Sequence, residues 1–162
     1  MKSTLQNAHK YDLGIIAAGL LAFLFSLFPY YKASVQANGD PSGLGMAVDG
    51  DIGTWNAWHG FFGWFAALAA LAAAGVMIAR LLGVGLDASM TRLIALAGFA
   101  VATVCALLTF VVNPLPGTEG KQDLGAGVSF EYAKGHAWGF WLSLLVILAG
   151  LALSVMRKEA KD

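Results

Sequence analysis

Residues Phe61 to Leu82 read FFGWFAALAALAAAGVMIARLL, and their one charge, Arg80, stands two places from the end. An α-helix rises about 1.5 Å per residue, so about 20 apolar residues cross a hydrocarbon core of about 30 Å. This stretch meets that length. Working outward, Leu13–Tyr31, Leu93–Val112 and Trp138–Met156 are runs of the same kind. Together they predict one integral membrane domain over residues 1–162. The expected fold is all-α: a four-transmembrane-helix bundle with spans at about 13–31, 61–82, 93–112 and 138–156. Outer loops are expected at about 32–59 and 113–137. The first run has the length of a secretory signal but no small-x-small cleavage site; Pro29-Tyr30-Tyr31-Lys32 closes it instead, so it reads as a retained span.

Composition agrees. The chain is 58% hydrophobic and 12% charged, with a mean hydropathy of +0.68. Soluble domains are about 45–50% apolar and about 25% charged. The net charge is zero, so no basic field invites nucleic acid. The single cysteine, Cys105, has no partner for an internal disulfide and reads as a small apolar residue between Val104 and Ala106. Membrane thiol oxidoreductases, which need paired cysteines, are thereby excluded.

Lys and Arg near the ends of the runs predict orientation. Lys2, Lys10, Arg80, Arg92, Arg157, Lys158 and Lys161 fall on one side, and Lys32, Lys121 and Lys134 on the other. The richer side is expected to be cytoplasmic, which places both termini there and makes the chain a multi-pass protein of the inner (cytoplasmic) membrane. Tyr30, Tyr31, Trp55, Trp58, Trp64, Trp138 and Trp141 gather at the outer ends, as an interfacial aromatic belt does. Small residues four apart allow helices to approach closely. Gly14, Ala18 and Ala22 form one such stripe, Ala66, Ala70 and Ala74 a second, and Gly98, Ala102 and Ala106 a third. They suit packing within a bundle or an oligomer face.

The second and fourth runs open alike: Trp58-His59-Gly60-Phe61-Phe62-Gly63-Trp64 and Gly135-His136-Ala137-Trp138-Gly139-Phe140-Trp141. Each half then reads span, outer loop, His–aromatic opening, span, which predicts two similar hairpins related as a parallel repeat. Inside the loops, Asn38-Gly39 and Asp49-Gly50 are hairpin-turn dipeptides. Ala33–Ala37 and Gly127–Tyr132 alternate in polarity, which suits a small antiparallel sheet capping the bundle.

His59 and His136 are the candidate cofactor-binding residues, because the repeat puts both at the outer mouth of a span. Paired imidazoles could hold haem or a metal ion, with Asp40, Asp49, Asp51, Glu119, Asp123 and Glu131 nearby to complete a metal shell. The competing reading is an amphipathic His content among interfacial Trp residues. No cofactor is expected on balance. Asp49-Gly50-Asp51-Ile52-Gly53 lacks the further ligands of a calcium loop and reads as a turn. No ionisable residue lies deep in a run; Asp12 and Arg80 stand at ends, where they can snorkel. A proton-coupled carrier or pump is therefore not expected, and no nucleophile–base pairing marks an enzyme.

The Phe25–Tyr31 segment FSLFPYY, with the two His–aromatic openings, resembles small four-span membrane proteins of actinobacteria over nearly the whole chain. Those proteins are uncharacterised, so the resemblance implies layout and membrane location but no activity. The expected function is a non-enzymatic membrane accessory or scaffold that binds other membrane proteins or itself within the lipid bilayer. The alternative is an outer-face ligand-binding protein that takes haem, metal or lipid at His59 and His136.

Overall fold

The computed structural model describes residues 9–38, 50–117, 119–125 and 128–159. In chain order the elements are α1 (Lys10–Ser26), β1 (Tyr31–Asn38), β2 (Gly50–Trp55), a 3-10 turn (Ala57–His59), α2 (Phe61–Leu81), α3 (Ala88–Leu108), β3 (Gly120–Gly125), β4 (Val128–His136) and α4 (Trp138–Glu159). The fold is a helical layer with a four-stranded antiparallel sheet at one end.

This corrects the all-α, four-transmembrane-helix expectation. Among the described residues three helices, α2, α3 and α4, are long and apolar enough to cross a membrane, with 21, 21 and 22 residues. That is the composition of a membrane protein. Helix α1 has only 17 residues, or about 25 Å. The run expected to continue to Tyr31 stops at Ser26, because Pro29 disfavours helical backbone at the residue before it. Tyr31 instead opens β1. The loops expected outside the helices hold the sheet, so strand is a principal component of the fold and not an appendage to a bundle.

Helix ends follow from local chemistry. His9 caps α1 by accepting the Tyr11 amide at Nδ1 (3.3 Å), and the Asp87 carboxylate caps α3 by accepting the Ser89 amide (2.7 Å). Gly83, at φ +86°, turns the chain out of α2 in a conformation that side chains resist. The helices pack in a cycle, α1 on α2, α2 on α3, α3 on α4 and α4 on α1.

The interior of that layer is made of small residues. Ala18, Ala22, Ala66, Ala70, Ala74, Ala102 and Ala106 are all buried, so the stripes face inward. A Cβ on Gly19 would lie 2.5 Å from the Ala70 carbonyl oxygen, and one on Gly98 would lie 2.9 Å from Ala73 Cβ. Large apolar residues such as Leu24, Phe61, Leu93, Val104, Leu107, Leu145 and Leu148 point outward. Small inside and large apolar outside is the partition expected where the solvent is lipid and helices gain by close contact.

Asp12 departs from the snorkelling expectation. It turns inward and accepts a hydrogen bond from Arg157 Nε at 2.7 Å, the two side chains being 7% and 4% exposed. The start of α1 is thereby fastened to the end of α4. Neither charge would be stable alone in that setting, and the pairing is what makes their burial tolerable.

The sheet order is β2-β1-β4-β3. Tyr31 pairs with Trp55 on one side and His136 on the other, and bulges interrupt both outer pairings, at Ala33/Ser34 and at Asp123/Gly125. A parallel repeat would exchange β1 with β3 and β2 with β4. This order does not allow that exchange: β1 and β4 are central, β2 and β3 are edges. The turn expected at Asn38-Gly39 and Asp49-Gly50 falls on residues 39–49, outside the described residues.

Candidate functional site

The junction of sheet and helices gathers Tyr30, Tyr31, Thr109 and His136. Pro29 leads Tyr30 and Tyr31 directly from α1 into the sheet. Three backbone hydrogen bonds lock the crossing: Tyr30 N–H to the Trp55 carbonyl (2.7 Å), Ala137 N–H to the Tyr30 carbonyl (2.9 Å) and Gly139 N–H to the Pro29 carbonyl (2.9 Å). Both tyrosine rings are buried, 5.0 Å apart between centroids, and Tyr30 meets Phe140 edge-on at 5.2 Å. Gly60 and Gly63 are required here. A Cβ at either would come within 3.0 Å or 2.8 Å, respectively, of the Tyr31 hydroxyl.

Neither tyrosine hydroxyl has a hydrogen-bond partner among the described residues. Burial raises the Tyr31 phenol to about 12. It raises Tyr30 further, by burial first and then by the neighbouring Tyr31 and Cys105. Both are neutral donors at any physiological pH.

His136 ends β4 inside this junction. Its ring lies 4.0 Å from Phe140, 4.6 Å from Phe110 and 5.8 Å from Tyr31, between centroids. Nε2 is 3.0 Å from the Thr109 hydroxyl, which itself donates to the Ala106 carbonyl at 2.7 Å. With the hydroxyl proton spent on Ala106, Thr109 accepts from His136, so the imidazole carries its proton on Nε2. Burial lowers the His136 pKa. The ring is a neutral strut between β4 and the end of α3.

His59 is in a different place. It closes the 3-10 turn, is exposed, and packs on Trp55 at 6.1 Å. It follows the edge strand β2, whereas His136 ends the central strand β4. The structure does not bring the two histidines together, and the reason is the sheet order. Of the carboxylates considered with them, Asp51 lies on β2, Asp123 on β3, and Glu131 on β4 near Lys121 at 4.0 Å; Asp40 and Asp49 fall outside the described residues. Among the described residues no three His, Cys, Asp or Glu side chains are grouped as a metal site.

Sequence reasoning singled out His136 but not Thr109, Tyr30 or Tyr31. The tyrosines read as interfacial aromatics, and only the extended backbone after Pro29 turns them inward. Trp58, also read as an interfacial aromatic, is exposed, and its indole N–H reaches Ser26 Oγ at 3.3 Å.

The two faces of the sheet differ in chemistry. On β1, Tyr31, Ala33, Val35 and Ala37 face the helices, while Lys32, Ser34 and Gln36 face away. Across the register Glu131 joins the outward face beside Gln36, and Lys121 beside Glu131. This outward surface is polar and mixed in charge. No protein-family model matches the chain, and no curated protein and no solved structure matches it.

Proposed function

We propose that this is a non-enzymatic integral membrane protein whose sheet, held on the ends of the helices, presents a binding surface to another membrane protein. The observation that carries the reading is the rigid mounting of a polar sheet face. Three backbone hydrogen bonds and the Thr109–His136 contact fix the sheet on the helices. Lys32, Gln36, Lys121 and Glu131 point away from them. A surface fixed in this way loses little conformational freedom on binding.

The sheet is placed on the non-cytoplasmic side of the inner membrane. Lys10, Arg80, Arg92, Arg157 and Lys158 lie at the helix ends remote from the sheet, and the positive-inside rule assigns that end to the cytoplasm. The start of α1 and the end of α4 then lie on the cytoplasmic side. Exposed Trp58, Trp138 and Trp141 mark the interface beneath the sheet.

Site-specific photo-crosslinking in native membranes tests this. A crosslinker at Gln36 is expected to give one discrete protein adduct that a Glu131→Lys charge reversal abolishes. A crosslinker at lipid-facing Leu145 should not give that adduct. Adducts to lipid alone from Gln36, or an adduct indifferent to the reversal, would overturn the reading. Haem or metal bridging by His59 and His136 gains no support from their separate surroundings.

A further inference from the structure

The inward face of the sheet is unevenly covered. Tyr31 and Ala33 are buried, whereas the next two rows are half-buried or exposed. Those rows are Val35 with Tyr132 and Gly120, then Ala37 with Phe130 and Gln122. A cleft of about 740 Å³ opens there, lined by Phe130, Tyr132, Gly117, Glu119, Lys121 and Gln122, among others. That volume is in the range of pockets that bind small molecules, about 300–1,000 Å³.

The wall of the cleft is built. The Tyr132 hydroxyl donates to the Pro116 carbonyl at 2.8 Å, and Lys134 Nζ donates to the Leu115 carbonyl at 2.5 Å. Gly117 adopts φ +94°, and a Cβ there would lie 3.1 Å from the Tyr132 ring. The segment after α3 is therefore pinned against the underside of the sheet, and a residue without a side chain lets it approach the ring closely.

The chemistry of the lining is selective. Two aromatic side chains stand two residues apart on one strand face, so their π surfaces border the same space. Glu119 contributes a carboxylate and Gln122 an amide. Of the ammonium groups here, Lys121 borders the cleft with its Nζ 4.0 Å from Glu131, and Lys134 donates to the Leu115 carbonyl. Aromatic faces and a carboxylate attract an organic cation. The cleft also lies at the end of the helical layer that carries the exposed Trp138 and Trp141.

We propose that the cleft beside β3 and β4, with Phe130, Tyr132 and Glu119, binds an organic ammonium group, carried on a phospholipid headgroup or on a free solute. Its aromatic wall is on the opposite face of the sheet from the partner surface proposed above, with Lys121 bordering both, and neither reading depends on the other.

The full-length protein would be placed in nanodiscs of phosphatidylglycerol, which carries no ammonium, and titrated with choline while the amide resonances of β3 and β4 are followed. Saturable shifts at Glu119, Gln122, Phe130 and Tyr132 are expected. The uncharged carbon isostere of choline should bind at least about fivefold more weakly, the loss appropriate to a cation–π and carboxylate site. Glu119→Gln and Phe130→Leu should each weaken choline by about three- to tenfold with the remaining spectrum intact. Lys158→Gln, at the far end of the helices, should not. Repeating the titration in phosphatidylcholine nanodiscs separates the sources. Loss of the choline response there means the headgroup occupies the cleft, and an unchanged response means a soluble ammonium ligand. Absence of saturable shifts, equal binding of the uncharged isostere, or full affinity in Glu119→Gln would overturn the proposal.

Discussion

The Thr109 hydroxyl gives its proton to the Ala106 carbonyl at 2.7 Å and receives one from His136 Nε2 at 3.0 Å. One side chain thus closes the end of α3 and ties it to the last residue of β4. The imidazole is held as the neutral Nε2–H form among Phe110, Phe140 and Tyr31.

Because burial depresses the His136 pKa, the folded state binds fewer protons there than the unfolded state near pH 6. Its contribution to stability is complete above the ordinary histidine value of about 6.5 and is lost as pH falls through the depressed value. Thermal unfolding in detergent should therefore shift to lower temperature between pH 7 and pH 5. His136→Gln should flatten that dependence, and Nε2-protonated shifts in nitrogen NMR of the imidazole should be seen at pH 7. A His136→Gln variant with the same pH slope would assign the dependence to other groups.

The Asp12–Arg157 pair calls for a double-mutant cycle. Asp12→Leu leaves a buried guanidinium without its carboxylate and should cost about 3–5 kcal/mol. Arg157→Leu should cost a similar amount. The double variant Asp12→Leu with Arg157→Leu should be more stable than either single variant, since no lone charge is buried. Simple additivity in the unfolding free energies would show that the pair is not coupled.

Two helix glycines should respond oppositely to alanine. A Cβ on Gly19 meets the Ala70 carbonyl oxygen at 2.5 Å and Ala74 Cβ at 2.6 Å, neither of which can swing away. Gly19→Ala should destabilise by about 1–3 kcal/mol. A Cβ on Gly75 meets nothing within 4 Å. Gly75→Ala should be neutral or stabilise by up to about 1 kcal/mol through helix propensity. Matched melting curves decide it, and equal effects would contradict the helix contact.

The tyrosine hydroxyls give a fourth test. A buried donor without a partner costs about 1–3 kcal/mol, so Tyr31→Phe should leave stability unchanged or raise it. Tyr31→Ala, which removes the ring from between Tyr30 and His136, should cost about 3–5 kcal/mol. In the parent protein, the stability held by the neutral Tyr31 phenol is present below pH about 10 and is lost as pH rises through about 12. Marked destabilisation by Tyr31→Phe would mean that the hydroxyl has a partner in the membrane-embedded protein.

Apolar run length and the segregation of charge were enough to identify a membrane protein and to locate α2 and α4 to within three residues and α3 to within five, because helix length and hydrophobicity are local properties. The alternation at Ala33–Ala37 also foretold part of β1, since strand periodicity is local too. Where α1 ends was less legible: an uninterrupted apolar run through Tyr31 hides the backbone change that Pro29 imposes. Strand order and side-chain environment depend on segments distant in sequence. Two matching histidine openings therefore suggested equivalent sites, yet one follows an edge strand and the other ends a central strand. Likewise, nothing near Asp12 announces Arg157, 145 positions away, and only helix packing brings the charges within hydrogen-bonding distance. The sequence by itself determined that these helices are apolar enough for a bilayer. Tertiary structure decided which polar groups meet, because long-range pairing is set by how the helices and strands assemble and not by the order of residues within any one of them.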